Sequence, residues 1–462
     1  MRKIVVLGAG HSSPFLIRWL LERSASLDAE VVVADLSQEQ AAARIDGHPR
    51  GRAIALDISD DAACVRALTG ANVLVHLLPP HLQGLAARRA IEQGAHFVSA
   101  SYRAPETAEL DGEAQHRGLT LLTEMGLDPG IDLMSAQQLI DGFARDGFLV
   151  ERFASYGAGL PEPSFDGNPL RYCITWNPRN VVMAAAAGAR FLEAGKVRLQ
   201  PRERVFEASW PVEVPGVGRF DAYANRDSIG YREIHGLDEV STLVRGTLRW
   251  PGFCDVWLQI VRLGLPIETV EVPDLASRTW AELTEMFVGG PQDDPAAPLR
   301  TRVARRLDLD AGDRRLDVLE NLGFFADTPI LEEANDRLRS PADALVHLLE
   351  QRLILPAGVR DMVLLHHEFD LRRTAGQSVE RRRVVSTLEA YGEPGGITAM
   401  ARTVGLPAAL GVHLLLDGSL DRRGCIGPTA SDIYQPVLAA LEAEGLRFSE
   451  HSVPVAEGPA EG

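Results

Sequence analysis

The sequence predicts an α/β protein: a doubly wound parallel sheet, a second α/β domain with a mixed sheet, and a small helical insertion. Three observations carry this. From Met1 to about Gly130, short apolar runs alternate with helical patterns, which is how parallel sheets are built. The first of these runs ends in a glycine turn that opens a helix. From Arg152 the texture changes to polar–apolar alternation, typical of a half-exposed antiparallel sheet.

Ile4-Val5-Val6-Leu7 is the first strand, followed by Gly8-Ala9-Gly10-His11-Ser12-Ser13 and a helical pattern from Phe15 to Leu21. Gly8 permits the tight turn, and Gly10 lets the backbone approach a pyrophosphate at the helix N-terminus. The third glycine position is Ser13, small enough for close helix packing. This is a Rossmann dinucleotide fingerprint, with Gly8, Gly10, His11 and Ser12 as cofactor-binding candidates. The second strand, Glu30 to Ala34, ends at Asp35, about twenty residues beyond the turn, where an acid reads ribose hydroxyls. Asp35 would repel a 2′-phosphate, and Leu36, Ser37, Gln38, Glu39 and Gln40 offer no cation, so NAD is expected, with NADP as the alternative.

Later strands end at Asp57, at Leu78-Pro79-Pro80 and at Ser101-Tyr102. Ligands bind outside the carboxyl ends of such strands, which adds Asp57, Leu78, Pro79 and Ser101 to the cofactor candidates. Gly118 to Thr123 reads as a further buried strand, and Pro129-Gly130 turns the chain after it. Asp132 is then placed to cap a helix opening at Leu133, which leaves the carboxylate of Asp128 in a tight turn just past a strand end.

In the second part, Phe153 to Tyr156, Tyr172 to Trp176, Val205 to Trp210 and Phe220 to Tyr223 read as strands, with a Gly/Pro loop from Gly157 to Asn168. Arg226 and Arg249 stand in arginine-bearing segments, and arginine offers a donor fork suited to carboxylates. Ser277 to about Gln351 reads as helix without strands. Asp361 to Phe369 returns to strand, where adjacent His366 and His367 point to opposite faces and do not suggest a metal. Thr398 to Val404 is an amphipathic helix that packs back on the first domain, and Glu450 to Gly462 reads as a frayed tail. The resulting domains are 1–131 plus 395–462, dinucleotide-binding; 132–276 plus 352–394, substrate-binding and dimerising; and 277–351, the helical insertion.

The chain has 462 residues, and its 47 basic against 64 acidic residues leave a net charge of −17. That argues against nucleic acid or an anionic membrane as partner. Cys64, Cys173, Cys254 and Cys425 are scattered without CxxC spacing and read as reduced thiols of a cytoplasmic protein. The N-terminus does not read as a signal peptide, and no apolar run reaches the ~18 residues of a membrane span.

Assembled, these residues resemble saccharopine dehydrogenase of the glutamate-forming type, also called saccharopine reductase. The blocks that carry the resemblance are Met125-Gly-Leu-Asp-Pro-Gly-Ile-Asp132, Asn168-Pro-Leu-Arg-Tyr-Cys-Ile-Thr-Trp176, Ala222-Tyr-Ala-Asn-Arg-Asp-Ser228 and Arg245-Gly-Thr-Leu-Arg-Trp-Pro-Gly-Phe253. Trp176-Asn-Pro-Arg-Asn180 and Thr398 to Pro407 look like its bacterial branch. The resemblance implies a homodimeric oxidoreductase of amino-acid (lysine) metabolism. An amine and an aldehyde condense to an imine that NAD(P)H reduces, and the reverse oxidises saccharopine. It implies Asp128 and Tyr102 as catalytic residues. It also implies substrate contacts from Ser101, Arg226, Thr247, Leu248 and Arg249, with Trp176 beside the cofactor. Asp128, Arg226 and Arg249 are then expected to face one cleft between the domains.

The chemistry agrees. Hydride cannot leave a carbon beside a protonated secondary amine, so a base must first take the proton, and a carboxylate also stabilises the iminium. The sequence departs from the family at Gly157 (often Cys), Leu133 (often His) and Ser164 (often an acid), near the expected substrate pocket. Two alternatives follow: the same imine chemistry on another amino-acid or polyamine pair, or a dinucleotide-binding sensor without catalysis. The presence of Asp128, Tyr102, Arg226 and Arg249 argues against the sensor.

Overall fold

The structure, a computed structural model, describes residues 1–184, 186–290, 293–331 and 338–454. Contacts divide the chain into two compact units, Met1–Val150 with Arg360–Gly462, and Glu151–Val359.

The first unit is built on a parallel sheet. Its strands are β1 (Arg2–Leu7), β2 (Ala29–Asp35), β3 (Gly51–Ala55), β4 (Val73–His76), β5 (His96–Ser99) and β6 (Thr120–Leu122). A late strand, Gly424–Ile426, adds beside β6, so the order is that strand, then β6-β5-β4-β1-β2-β3. The order reverses on either side of β1, and such a reversal is where doubly wound sheets bind ligands. Register places Leu7 opposite both Ala34 and His76, and His76 opposite Ser99. These carboxyl ends therefore lie in one row. Val5, Leu7, Val32, Leu74, Phe97 and Leu121 form the core beneath them. The fold class is the one expected from the alternation.

The helix Ala399–Leu416 packs on the first helix, Pro14–Glu22, and on β4 and β5. Contact is close because Gly405 has no side chain: a Cβ there would lie 2.8 Å from the Leu16 nitrogen. Gly411 likewise faces Val98, Leu122 and Met125. Among the described residues this is the one helix long and apolar enough to cross a membrane, contrary to the sequence reading. It is 78% buried within the protein, which accounts for its apolar composition.

The second unit contains β7 (Leu149–Pro161), β8 (Ala189–Glu193), β9 (Lys196–Gln200), β10 (Trp210–Val214), β11 (Gly218–Ala224), β12 (Arg226–Asp227) and β13 (Thr242–Arg249). The main path is β10-β11-β13-β7, antiparallel except for the parallel pair β13–β7, and β8 joins β9, β12 and β13. Phe253 stacks on Trp257 at 5.3 Å and Phe220 on Trp250 at 4.7 Å in its core. The helices Trp280–Glu285, Leu299–Arg306, Arg314–Leu322 and Pro341–Arg352 supply the expected helical stretch.

Several local readings are corrected. β7 continues through Gly157 to Pro161, where a loop was expected, because Thr247 pairs with Gly157 and holds the strand. Tyr172 to Trp176 form no strand beyond an isolated bridge from Ile174 to Ile354. Val205 to Ala208 turn, with strand beginning at Trp210. Two further strands in the first unit, β14 (Asp361–Ala375) and β15 (Ser378–Tyr391), form a long hairpin. Numbering Gly424–Ile426 as β16, the last strand is β17 (Phe448–Pro454). β17 pairs with β15, so Glu450 to Pro454 are not frayed; residues 455–462 of that tail lie outside the described residues. The compact division also differs from the sequence boundaries. It groups β14, β15 and the helix Ile131–Arg145 with the first unit, where that helix packs on Ser431–Ala443 and β14 on Ala399–Leu416.

Candidate functional site

In the first unit, Gly8 takes a φ of +106°, and a Cβ there would lie 2.9 Å from the Leu77 carbonyl oxygen. Only glycine makes this turn without strain. At Gly10 a Cβ would meet no atom within 4 Å, so the turn presents open backbone beside the N-terminus of Pro14–Glu22. Ser13 is not merely small. Its hydroxyl donates to the Gly10 carbonyl at 2.8 Å and closes the turn.

Ala9 is held from both sides. Its N–H donates to Asp35 Oδ2 at 2.8 Å, and its carbonyl accepts from Arg44 Nε at 3.0 Å. The other Asp35 oxygen accepts the Ser37 N–H at 3.0 Å. The expectation of no cation near this strand end is corrected here. The helix Gln38–Ile45 brings Arg44 back to the glycine turn, which local sequence beyond Asp35 does not reveal. Each carboxylate oxygen has further acceptor capacity and Arg44 has further donors, so the arrangement fits the ribose of a dinucleotide. Asp57 is exposed, and bonds from the Ser59 side chain and backbone hold its carboxyl below the usual range. Leu78 is half-buried and Pro79 exposed, both just past β4.

Tyr102 and Asp128 lie beyond β5 and β6. The Tyr102 hydroxyl donates to Asp128 Oδ1. The turn carrying Asp128 is locked: Gly126 N–H bonds to the Pro129 carbonyl at 2.9 Å and Ile131 N–H to the Gly126 carbonyl at 2.9 Å. A Cβ on Gly130 would lie 2.0 Å from the Gly126 oxygen, and the Asp128–Pro129 peptide is cis. Asp132 is buried inside the first helical turn and accepts the Gly130 N–H at 2.7 Å. It braces the turn and is not the N-cap, a position taken by Gly130. Ser101 lies beside the pair, and its N–H donates to Ser99 Oγ at 3.2 Å.

Sequence reasoning missed two buried groups behind this pair. His76, fully buried, meets Ser99 Oγ through Nδ1 at 3.2 Å, and burial pushes its imidazole down to about 4. Gln83, also fully buried, bonds to the segment bearing Tyr102. A polar residue just after the Pro79-Pro80 turn was the signal available.

In the second unit, β13 presents Thr247, Leu248 and Arg249. Arg249 is only 3% exposed. Its Nη2 donates to the Tyr223 hydroxyl at 3.2 Å and its Nη1 to the Leu248 carbonyl at 3.1 Å. Tyr172, Phe253 and Tyr223 surround the guanidinium at 4.9, 5.2 and 5.7 Å. Its Nε has no hydrogen-bond partner and no acid pairs with it among the described residues. Burial pushes the neighbouring Cys254 thiol up to about 12, so it stays protonated.

Arg226 differs. It is exposed with a left-handed φ of 51°, and lines a cavity of about 620 Å³ with Arg190, Gln200, Arg202 and Asp227. Asp227 is already paired with Arg190, at 3.0 and 2.7 Å. Arg249 is not in this lining. Trp176 is half-buried just before the helix Pro178–Val182. Of the three departures, Gly157 sits opposite Thr247 in the sheet. Leu133 is fully buried and Ser164 is exposed. Among the described residues no group of three or more His, Cys, Asp or Glu is placed to hold a metal ion.

Residues 4–122 match the saccharopine dehydrogenase NADP binding domain, and residues 126–446 match the saccharopine dehydrogenase C-terminal domain. The chain is 31% identical to saccharopine dehydrogenase [NADP(+), L-glutamate-forming] of Schizosaccharomyces pombe, across 98% of this chain and 99% of that protein. It is 32% identical to the mitochondrial alpha-aminoadipic semialdehyde synthase of Bos taurus, across 98% of this chain but 48% of that longer protein. The solved saccharopine dehydrogenase (L-Glu forming) of Saccharomyces cerevisiae superposes with a TM-score of 0.83 at 29% identity, covering 98% of this chain and 100% of that one.

Proposed function

Because the chain belongs to the saccharopine dehydrogenase family, and is therefore an oxidoreductase using a nicotinamide dinucleotide, we propose that it interconverts saccharopine with glutamate and a semialdehyde. The observation that carries the chemistry is the Tyr102–Asp128 hydrogen bond at the carboxyl ends of β5 and β6. When bound, the dinucleotide takes up or delivers the hydride at the carbon beside nitrogen.

The chain's own residues do the rest. In the oxidative direction Asp128 accepts the proton of the secondary ammonium, which frees the nitrogen lone pair. Asp128 passes that proton on to solvent, and its regained negative charge, oriented by the Tyr102 hydroxyl, stabilises the iminium that forms as hydride leaves. Water adds to that carbon, its protons pass to nitrogen and base, and the C–N bond breaks to give amine and aldehyde. Arg249 supports the carboxylate-rich substrate. A buried cation without an anion is costly, and a ligand carboxylate would complete it. Arg226, an exposed arginine without an ion pair among the described residues, is assigned a second carboxylate. The enzyme is assigned to the cytoplasm, as a homodimer.

NAD is the preferred cofactor in this proposal, although the fission-yeast relative carries NADP(+) in its name. Asp35 supports that preference by charge, with Arg44 as the nearby cation that would soften it. A second reading, the same reduction of a different imine, is favoured by Gly157 lying opposite Thr247 on the strand that carries Arg249.

The test is a panel of amines and aldehydes followed through the absorbance of the reduced nicotinamide. Saccharopine as best substrate supports the first reading; another pair supports the second. No turnover of any pair with tight dinucleotide binding would overturn both.

A further inference from the structure

Gln83 opens the helix Gln83–Glu92 and is fully buried. A primary amide offers two N–H donors and one oxygen with two lone pairs. Here every group is spent on one stretch of chain. Nε2 donates to Ser99 Oγ at 2.9 Å, to the Tyr102 carbonyl at 2.9 Å and, more weakly, to the Ser101 carbonyl at 3.4 Å. Oε1 accepts from the Ala104 N–H at 2.7 Å and the Thr107 hydroxyl at 3.0 Å. One side chain thus ties five points spread over residues 99–107, and Tyr102 stands in the middle of them.

Beyond β5 the backbone bonds hold only the start of the segment, from the Met125 N–H to the Ser99 carbonyl at 2.8 Å and from the Glu124 N–H to the Ser101 carbonyl at 3.2 Å. β5 ends at Ser99, and the short helix Pro105–Ala108 begins only after Ala104. The Ser99 hydroxyl also meets His76 Nδ1 at 3.2 Å and the Ser101 N–H at 3.2 Å, which joins the same network to the floor of the sheet. Burying an amide is costly unless its groups are satisfied. A network that satisfies them all fixes one geometry. An apolar side chain would fill this volume without that restriction.

We propose that Gln83 is a positioning residue for the reaction: it holds the loop from Ser99 to Ala104 so that the Tyr102 hydroxyl meets Asp128. This rests on the catalytic reading of Tyr102 and Asp128. Gln83 touches no reacting atom. It acts by restricting the Tyr102 backbone, and misplacement of such a group by about 1 Å is enough to cost about 100-fold in rate.

The full-length enzyme tests this with Gln83→Met, which keeps length and volume but removes every hydrogen bond. We expect kcat to fall by about 10- to 100-fold while the dinucleotide KM stays within about twofold. If Gln83 acts through Tyr102, the Tyr102→Phe and Gln83→Met losses do not multiply, and the double variant is about as slow as Tyr102→Phe alone. A merely structural role gives multiplying losses, and that result, or wild-type kcat in Gln83→Met, overturns the inference. Gln83→Glu is the second variant, usable where Gln83→Met melts. Its carboxylic acid can donate and accept, but its carboxylate cannot donate. Its kcat relative to wild type should therefore fall as pH rises through the raised pKa of a buried glutamate. A pH-independent ratio overturns the proposal. Tyr102→Phe at full wild-type rate overturns the catalytic reading, and the inference with it. A slow Tyr102→Phe with multiplying losses overturns the inference alone.

Discussion

The Tyr102 hydroxyl donates to Asp128 Oδ1, and so joins the segment after β5 to the turn after β6. Asp128 cannot drift from this partner, because the close backing of Gly126 against Gly130 fixes its turn. We expect Asp128→Asn to lower kcat by about 100-fold or more, the usual scale of a general base. The dinucleotide affinity and the melting temperature should stay near wild type. Full activity in this variant, measured by steady-state kinetics, would remove Asp128 from the mechanism.

The two side chains on Ala9 give a prediction about cofactor choice. Asp35 and Arg44 flank the same residue with opposite charge. Wild type should bind NADH more tightly than NADPH. Asp35→Ser should narrow that preference, by up to the ~1.5–3 kcal/mol of a charged hydrogen bond. Arg44→Ala should weaken NADPH more than NADH, because only the former carries the 2′-phosphate. Fluorescence titrations with both cofactors check each value, and NADPH tighter than NADH in wild type would refute the role given to Asp35.

Arg249 should trade stability against binding. Its guanidinium is buried among aromatic rings and forms no ion pair among the described residues. Arg249→Met should raise the substrate KM by at least about tenfold, since a charged hydrogen bond to carboxylate is lost. The same change removes a desolvated cation, so the ligand-free melting temperature should hold or rise by a few degrees, at about 2–4 °C per kcal/mol. Calorimetry of the ligand-free enzyme decides the second half; a large fall in melting temperature would show that the cation is structural.

His76 predicts a pH dependence of stability. Its pKa is lowered from 6.5 to about 4 by burial, so the folded protein keeps it neutral. The unfolded chain takes up a proton there below pH 6.5, whereas the folded one does so only near 4. This contribution is therefore fully present above pH 6.5 and is lost as pH falls towards about 4, amounting to about 3 kcal/mol. Denaturant unfolding of wild type and His76→Leu should show a shallower pH slope in the variant over that window.

Gly157 lies opposite Thr247 in the register of β7 and β13. Gly157→Cys should change the ratio of kcat/KM between saccharopine and any better substrate found in the panel, because specificity is a difference in transition-state binding. An unchanged ratio would detach this position from substrate choice.

What the sequence determined by itself is whatever its local chemistry dictates. The β1 run, the Gly8–Ser13 turn and its helix are contiguous, so strand propensity, glycine freedom and helix spacing act within a few residues. The same holds for β2 ending at Asp35 and for the Asp128 turn, whose Pro129 and Gly130 break the chain in place. These segments made the parallel sheet and part of the candidate site legible.

Tertiary structure decided the rest, because it depends on partners distant in sequence. Tyr172 to Trp176 have strand-like composition but gain only an isolated bridge, and composition does not encode a missing neighbour. Gly424–Ile426 becomes a strand because β6 offers it an open edge. Arg44 reads as a surface helix residue until the helix folds back on Ala9. Gln83 reads as a polar residue after a turn until β5 and the Tyr102 loop close over it. Burial turns each of these polar groups from a solvated side chain into an obligatory hydrogen-bond partner, and burial is fixed only when the whole chain has packed.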